Sequence, residues 1–407
     1  MTNKFVKKLF TNTAYVRTGG SEQELKCANF LAETLKGFNL LSTIESFEVP
    51  MANLKSAKLE IDGTEIVCKG YLNCGSADIT APLYYLTGDD KLSLSKCKDK
   101  IVIFDGYLRY WQYRDMLDNG ALGFISYDGN VHYADRDIDQ RELRSYFVED
   151  KKIPGVNINA KDAVKIIEKC AKTARIVIDQ EEYTGNSHNV ILDLPGKREE
   201  VIVFTAHYDT TSLSHGAYDN MSGSVGLIHL ATHFAKNPHD YSLRFIWCGS
   251  EERGLLGSKA YCQAHEAELE KIVFNVNLDM IGCTMGKFIA CCTSEQALVN
   301  YVNYFGLEVG FQVKAYQDVY SSDSTPFADK GVPAISFARI APKETATIHN
   351  SYDKANLINI NQIQNDMKFI TAFTTRMANA VRLPVAKEIP DNMKEKLDEY
   401  LLRKRKK

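Results

Sequence analysis

Short apolar runs that break abruptly into polar residues recur through the second half of this chain. The clearest is VIVFTAHYDT, in which Val201 to Thr205 give way to His207, Tyr208 and Asp209. A β-branched run of this kind reads as a buried strand whose last residues emerge at its carboxyl end. NVILDLPG, LRFIWC (Leu243 to Cys248), IVFNVNLD (Ile272 to Asp279) and AISFA (Ala334 to Ala338) have the same texture. Helical periodicity fills the gaps. Ser222 to Ala235 places Val225, Leu227, Ile228, Leu230, Ala231 and Phe234 mostly on one side, and Leu255 to His265 forms a second helix. A final helix, Ile360 to Val381, carries Ile363, Met367, Ile370, Phe373 and Met377. Strand-helix alternation with nearly continuous apolar strands predicts an α/β fold with a doubly wound, mostly parallel sheet.

The first half has a different grammar. Ser21 to Lys36 shows helical spacing with Ser21 as N-cap and Gly37 as stop, followed by the extended segment FNLLSTIESFEVP. From residue 54 to 183 short β-rich runs recur, among them TEIVCKGY, PLYYLTG, KIVIFDG, LGFISYD and ARIVID. The helical patterns YWQYRDMLDNGA and AKDAVKIIEKCAKTA lie between them, and a lone His132 in NVHYADRDID reads as solvated. This segment is expected to be a small β-rich domain inserted into a main domain of residues 1–53 and 184–385. Residues 386–407, ending in RKRKK, read as a charged, solvated tail or helix end.

Composition narrows the class. A chain of 407 residues exceeds one ordinary core, and 44% hydrophobic with 25% charged residues is globular. A net charge of −3 argues against nucleic-acid binding, and no apolar stretch is long enough to span a membrane. The amino terminus lacks the apolar core and cleavage site of a signal peptide. Ten cysteines without a CxxC pair read as reduced thiols, so a cytoplasmic protein is expected.

The chemistry lies at the strand ends. They deliver His207 and Asp209, the adjacent pair Glu251 and Glu252, Asp279, and His349 in TIHNSYD, while Asp219 opens the first large helix. Singly each has a bland reading: a helix cap for Asp209 or Asp279, a solvated turn for the glutamates, a loop residue for His349. Jointly they converge, because all carboxyl ends of a parallel sheet face one rim. Carboxylates buried together without cations are costly. A pair of divalent ions removes that cost; imidazoles with carboxylates suit zinc, with manganese or cobalt as substitutes. One glutamate can ligate while its neighbour serves as general base toward a metal-activated water, which indicates hydrolysis of an amide.

The blocks AHYDT, GAYDNMSG, GSEERGLLGS, NLDMIG, SSDSTPFADKGVPAI and HNSYD, in this order, resemble the co-catalytic zinc aminopeptidases of the bacterial leucyl and aminopeptidase Y type. These are related to glutamate carboxypeptidases and glutaminyl cyclases. RTGGSEQELKCANFLAETLK resembles the family's opening helix, and the insert resembles a protease-associated domain. The resemblance implies a zinc-dependent exopeptidase acting on peptides, with two zinc ions per chain. His207 and Asp279 would hold one, Glu252 and His349 the other, and Asp219 would bridge them. Glu251 would be the general base, Asp209 would orient His207, and the Asp219-Asn220 bond would be cis. There are departures. The family commonly has Ser-Asp-His before Pro-Phe, where this chain has Ser322-Asp323-Ser324-Thr325-Pro326. Ile348 stands where some members place an oxyanion-stabilising tyrosine, leaving Tyr320, Tyr352 or the metal alone for that role. A cyclase-like acyl transferase, a carboxypeptidase, or a metal-free receptor-like scaffold are the competing readings.

Overall fold

Strand Val201–His207 lies between Ser242–Cys248 and Ile272–Leu278, parallel to both, and Ile272–Leu278 pairs in parallel with Ala334–Ile340. Cys248 sits opposite His207, and Leu278 opposite Phe337, so these strands finish near one level. The structure, a computed structural model, describes residues 1–131, 138–148 and 151–406. His132 lies outside them. The chain divides into two compact units, Met1–Phe47 with Asn186–Lys407, and Glu48–Gly185.

In the first unit the parallel strands are extended by Lys287–Thr293, antiparallel to Ala334–Ile340, and then by Lys314–Gln317, parallel to it. At the other side the last residues of Thr173–Leu194 pair antiparallel with Ser242–Cys248. The sheet is mostly parallel, as the apolar strand runs imply. Alternate residues face opposite layers. Ile202, Phe204 and Ala206 pack with helices Glu22–Lys36, Ser222–Phe234, Gln296–Glu308 and Ile360–Ala378. Val203, Ile246 and Cys248 face helices Leu256–Ala264 and Ser324–Asp329 through Tyr261, Cys262 and Phe327. Phe204 stacks on Phe245 at 4.7 Å between ring centres, and Trp247 is fully buried beside them. Each such side chain contributes roughly 1.5–3 kcal/mol of burial. Ser21 caps its helix as expected, accepting the Glu24 amide at 3.1 Å.

The carboxyl terminus departs from the sequence reading. Helix Ile360–Ala378 stops short of Val381 and is not the last one. Within residues 386–407, expected as a solvated tail or helix end, Asp391–Tyr400 forms a helix whose Met393 and Leu397 are buried against Ala328 and Ala334. Its two apolar anchors stand among lysines and glutamates, so charge hid the buried face. Arg403 pairs with Asp329 at 2.6 Å. Helix Asn3–Asn12 also escaped the sequence reading, because its buried Val6, Leu9 and Phe10 are spread among lysines.

In the second unit the order is Ala77–Leu86, Ile101–Phe104, Gly123–Asp128 and Gly155–Asn159, all parallel, with Cys68–Gly70 antiparallel at one end. Helices Tyr110–Asp118 and Ala160–Glu168 fall where the periodicity places them. No helix of the described residues is long and apolar enough to cross a membrane.

Candidate metal centre

Four neighbouring strands bring their carboxyl ends to one rim. Ser242–Cys248 leads into Glu251 and Glu252, Val201–His207 ends on His207, Ile272–Leu278 precedes Asp279, and Ala334–Ile340 precedes the loop of His349. Asp219 comes from the turn Ala217–Met221 ahead of helix Ser222–Phe234, and its bond to Asn220 is cis. Side chains pin that turn to the Asp279 strand. Asn220 Nδ2 donates to the Leu278 carbonyl at 2.9 Å, and the Met280 amide donates to Asn220 Oδ1 at 3.0 Å. The Ile281 amide donates to Ser222 Oγ at 3.0 Å. Ser224 Oγ donates to the His207 carbonyl at 2.8 Å, tying the helix start to the central strand.

The structure brings the predicted residues together in two groups. Ligand atoms of His207, Asp219 and Asp279 all lie within 4.8 Å of one another, and so do those of Asp219, Glu252 and His349. The two oxygens of Asp219 divide between them: Oδ1 is 3.0 Å from His207 Nε2, and Oδ2 is 3.0 Å from His349 Nε2. His349 Nε2 is also 3.1 Å from Glu252 Oε2. Asp279 Oδ1 and Glu251 Oε2 stand at 3.8 and 3.9 Å from His207 Nε2. His349 is 44% exposed and marks the open side; the others are buried or nearly so. Asp209 lies 3.4 Å from His207 Nδ1, the nitrogen it is expected to orient. It also accepts the amides of Glu251 at 3.0 Å and Glu252 at 3.2 Å, a brace the sequence did not reveal.

Backbone strain gathers here. Ser250, Met280 and His349 have φ of 54°, 61° and 58°, a region that costs a non-glycine residue about 1–3 kcal/mol. Each adjoins or is a residue of the cluster.

The electrostatics test whether a metal fits. Burial pushes the Glu251 carboxyl well above its usual range; His207 opposes this, while Glu252, Asp323 and Asp279 add to it. Asp279 is raised by burial in the same way, opposed by His207 and reinforced by Asp219, Asp323 and Glu252. Glu252 too is raised by burial, with His349 opposing. Burial also acts on Asp219, but hydrogen bonds from His207 and His349 override it and hold its carboxyl low. Burial would lower both imidazoles, yet surrounding carboxylates, Glu251 first for His207 and Glu252 first for His349, raise them well above the usual value. Asp279 Oδ1 is buried with no hydrogen-bond partner. Anionic oxygens held together without donors are what divalent cations satisfy, and a set of imidazole nitrogens and carboxylates fits zinc.

Comparisons with known proteins place the chain beside peptidases. The profile of Peptidase family M28 matches residues 189–374, which contain every residue of both groups. That segment, a little under half of the chain, is similar to peptidase family M28. It is 26% identical to aminopeptidase YwaD of Bacillus subtilis over 396 residues, covering 93% of this chain and 85% of that one. It is 37% identical to leupeptin-inactivating enzyme 1 of Streptomyces exfoliatus over 156 residues, 37% of this chain and 35% of that protein. Among solved structures, BSAP, a zinc aminopeptidase from Bacillus subtilis, shares the fold with a TM-score of 0.78 at 23% identity, covering 96% of this chain and 98% of that one. An aminopeptidase from Aneurinibacillus sp. strain AM-1 does so at 0.75 and 21%, covering 95% of each.

One residue behind this site was not singled out by sequence, and the others fill positions the sequence left open. Asp353, in HNSYD, is fully buried and accepts the amides of Tyr218 at 2.8 Å and Asp219 at 3.0 Å. Nothing in its spacing separates it from a solvated turn. Asp323 accepts from Ser258 Oγ at 2.7 Å, and burial pushes its carboxyl up to about 6. Ser324, in place of the family's histidine, sits 2.9 Å from both Ser322 Oγ and Ser336 Oγ in a buried hydroxyl cluster. Of the two candidate tyrosines, Tyr352 is 47% exposed. The Tyr320 hydroxyl is buried without a hydrogen-bond partner, and burial first, then Asp279 and Asp219, push the phenol well above its usual value.

Proposed function

We infer that this protein is a metallo-aminopeptidase that removes amino-terminal residues from peptides. The observation that carries the reading is Asp219, which offers one oxygen to each of two imidazole-carboxylate groups. His207 and Asp279 would hold one zinc, Glu252 and His349 a second, with Asp219 shared. Bound there, the ions would polarise the scissile carbonyl and acidify the attacking water. Glu251 takes the proton from the attacking water and returns it to the leaving amine. Asp209 keeps Glu251 and Glu252 in place through their amides and faces the far nitrogen of His207.

Tyr320 is the donor we assign to the carbonyl oxygen as charge develops on it, because its hydroxyl is buried without a hydrogen-bond partner and lies within electrostatic reach of Asp279 and Asp219. Tyr320→Phe is expected to lower kcat by about a hundredfold, the usual cost of one such donor, with zinc content unchanged. Full activity in that variant removes the phenol from the mechanism.

The reading as a whole is tested by metal quantification with a panel of aminoacyl-anilide, carboxyl-terminal and amino-terminal glutamine substrates. Two zinc ions per chain and anilide hydrolysis are expected. Chelation should abolish at least about a thousandfold of the rate, since Lewis-acid stabilisation supplies several kcal/mol and each 1.4 kcal/mol is tenfold. Zinc, manganese or cobalt should restore it. One metal with turnover of amino-terminal glutamine would favour the cyclase, cleavage from the carboxyl end the carboxypeptidase, and no metal the scaffold.

A further inference from the structure

The loop from Tyr208 to Gly216 contains no strand or helix, yet its flanking residues place His207 Nε2 and Asp219 Oδ1 3.0 Å apart. We propose that Arg17 is a positioning residue for the metal centre: one guanidinium grips both ends of this loop and so sets His207 against Asp219. The inference rests on the zinc reading above.

Arg17 is fully buried, far from the site in sequence. Its Nε donates to the carbonyl of Tyr208, directly after His207. At the other end of the loop Nη1 donates to the His215 carbonyl at 2.5 Å and Nη2 to the Gly216 carbonyl at 2.9 Å. Nη1 also reaches its own segment, at the carbonyls of Thr13 (3.0 Å) and Tyr15 (3.2 Å). The backbone joins in: the Arg17 amide donates to Thr210 Oγ1 at 3.0 Å, and the Thr210 amide to the Arg17 carbonyl at 3.2 Å.

A planar fork with five donors can meet acceptors spread this widely, whereas a lysine ammonium presents its donors from a single point. A buried cation is costly to desolvate unless its bonds are all made, which favours one loop conformation over partly open ones. Gly216 shows how closely the loop wraps the group. With φ of 54° it is in the left-handed region, and a Cβ there would meet Thr210 Cγ2, the Asp219 carbonyl and Arg17 Nη2. Without this clamp the ordering of the loop falls to metal binding itself, and affinity drops by that cost.

The experiment measures zinc affinity by competition with a chromogenic chelator, alongside the thermal midpoint of the metal-free chain. Wild type is compared with Arg17→Lys, Thr210→Val and, as a core control, Phe305→Leu in helix Gln296–Glu308. Arg17→Lys is expected to weaken zinc binding roughly 10–100-fold, as loss of an outer support does. Thr210→Val should weaken it less, and Phe305→Leu should lower the midpoint and leave affinity unchanged. If Arg17→Lys does not fold, Thr210→Val alone decides. Wild-type affinity in the folded loop variants, or a loss no greater than in the control, overturns the proposal. A wild-type chain that binds no zinc overturns the functional reading and this inference together; zinc binding insensitive to the loop variants overturns only the latter.

Discussion

Glu251→Gln is expected to lower kcat by about ten-thousandfold while zinc content stays at the wild-type level, the upper range for a lost general base. The amide keeps the shape of the side chain, and the cradle that Asp209 builds from the Glu251 and Glu252 amides is a backbone feature that survives the change. What disappears is the group that accepts and returns a proton. The variant also separates catalysis from stability. Burial disfavours the charge of Glu251, and Glu252, Asp323 and Asp279 add to this against the pull of His207, so a neutral amide is easier to bury in the metal-free protein. The metal-free thermal midpoint of Glu251→Gln should therefore equal or exceed that of wild type. A turnover within tenfold of wild type would remove Glu251 from the base role, and a lost zinc would make it a ligand instead.

Asp219→Asn should do comparable damage by a different route. Both oxygens of Asp219 are committed, one toward His207 and one toward His349, so among the described residues its charge is the one shared by the two groups. At about 4 Å and an effective dielectric near 20, each unit-charge pair is worth about 4 kcal/mol, close to a thousandfold in affinity. Loss of that charge should weaken both zinc sites together and abolish turnover at ordinary zinc concentrations. Titration with zinc, followed by metal content and activity, distinguishes this from a lesion in one site. If Asp219→Asn loses only one ion, the carboxylate is terminal and the two groups do not share it.

Much of this protein was legible in its sequence, for a reason the strands make plain. VIVFTAH, LRFIWC, IVFNVNLD and AISFA are buried on both faces, so hydrophobicity alone announced a parallel sheet, and parallel strands deliver His207, Glu251, Glu252 and Asp279 to one rim without further information. Periodicity likewise placed helix Ser222–Phe234 behind Asp219. The helix Asp391–Tyr400 was hidden because two buried residues among many charges carry almost no periodic signal, and Asn3–Asn12 was lost for the same reason.

Other features belong to tertiary structure alone. Asp209 bracing two amides, Asp353 holding the amides of Tyr218 and Asp219, and Arg17 spanning the loop after His207 are bonds between residues distant in the chain or to backbone atoms. A side chain's identity says that it can form such a bond; which carbonyl or amide it finds depends on chain crossings that no local pattern encodes. The sequence by itself determined which groups could act and the rim they share. The folded chain decided which oxygen of Asp219 faces which histidine, and that choice follows from strained turns and buried hydrogen bonds that exist only once distant segments have packed together.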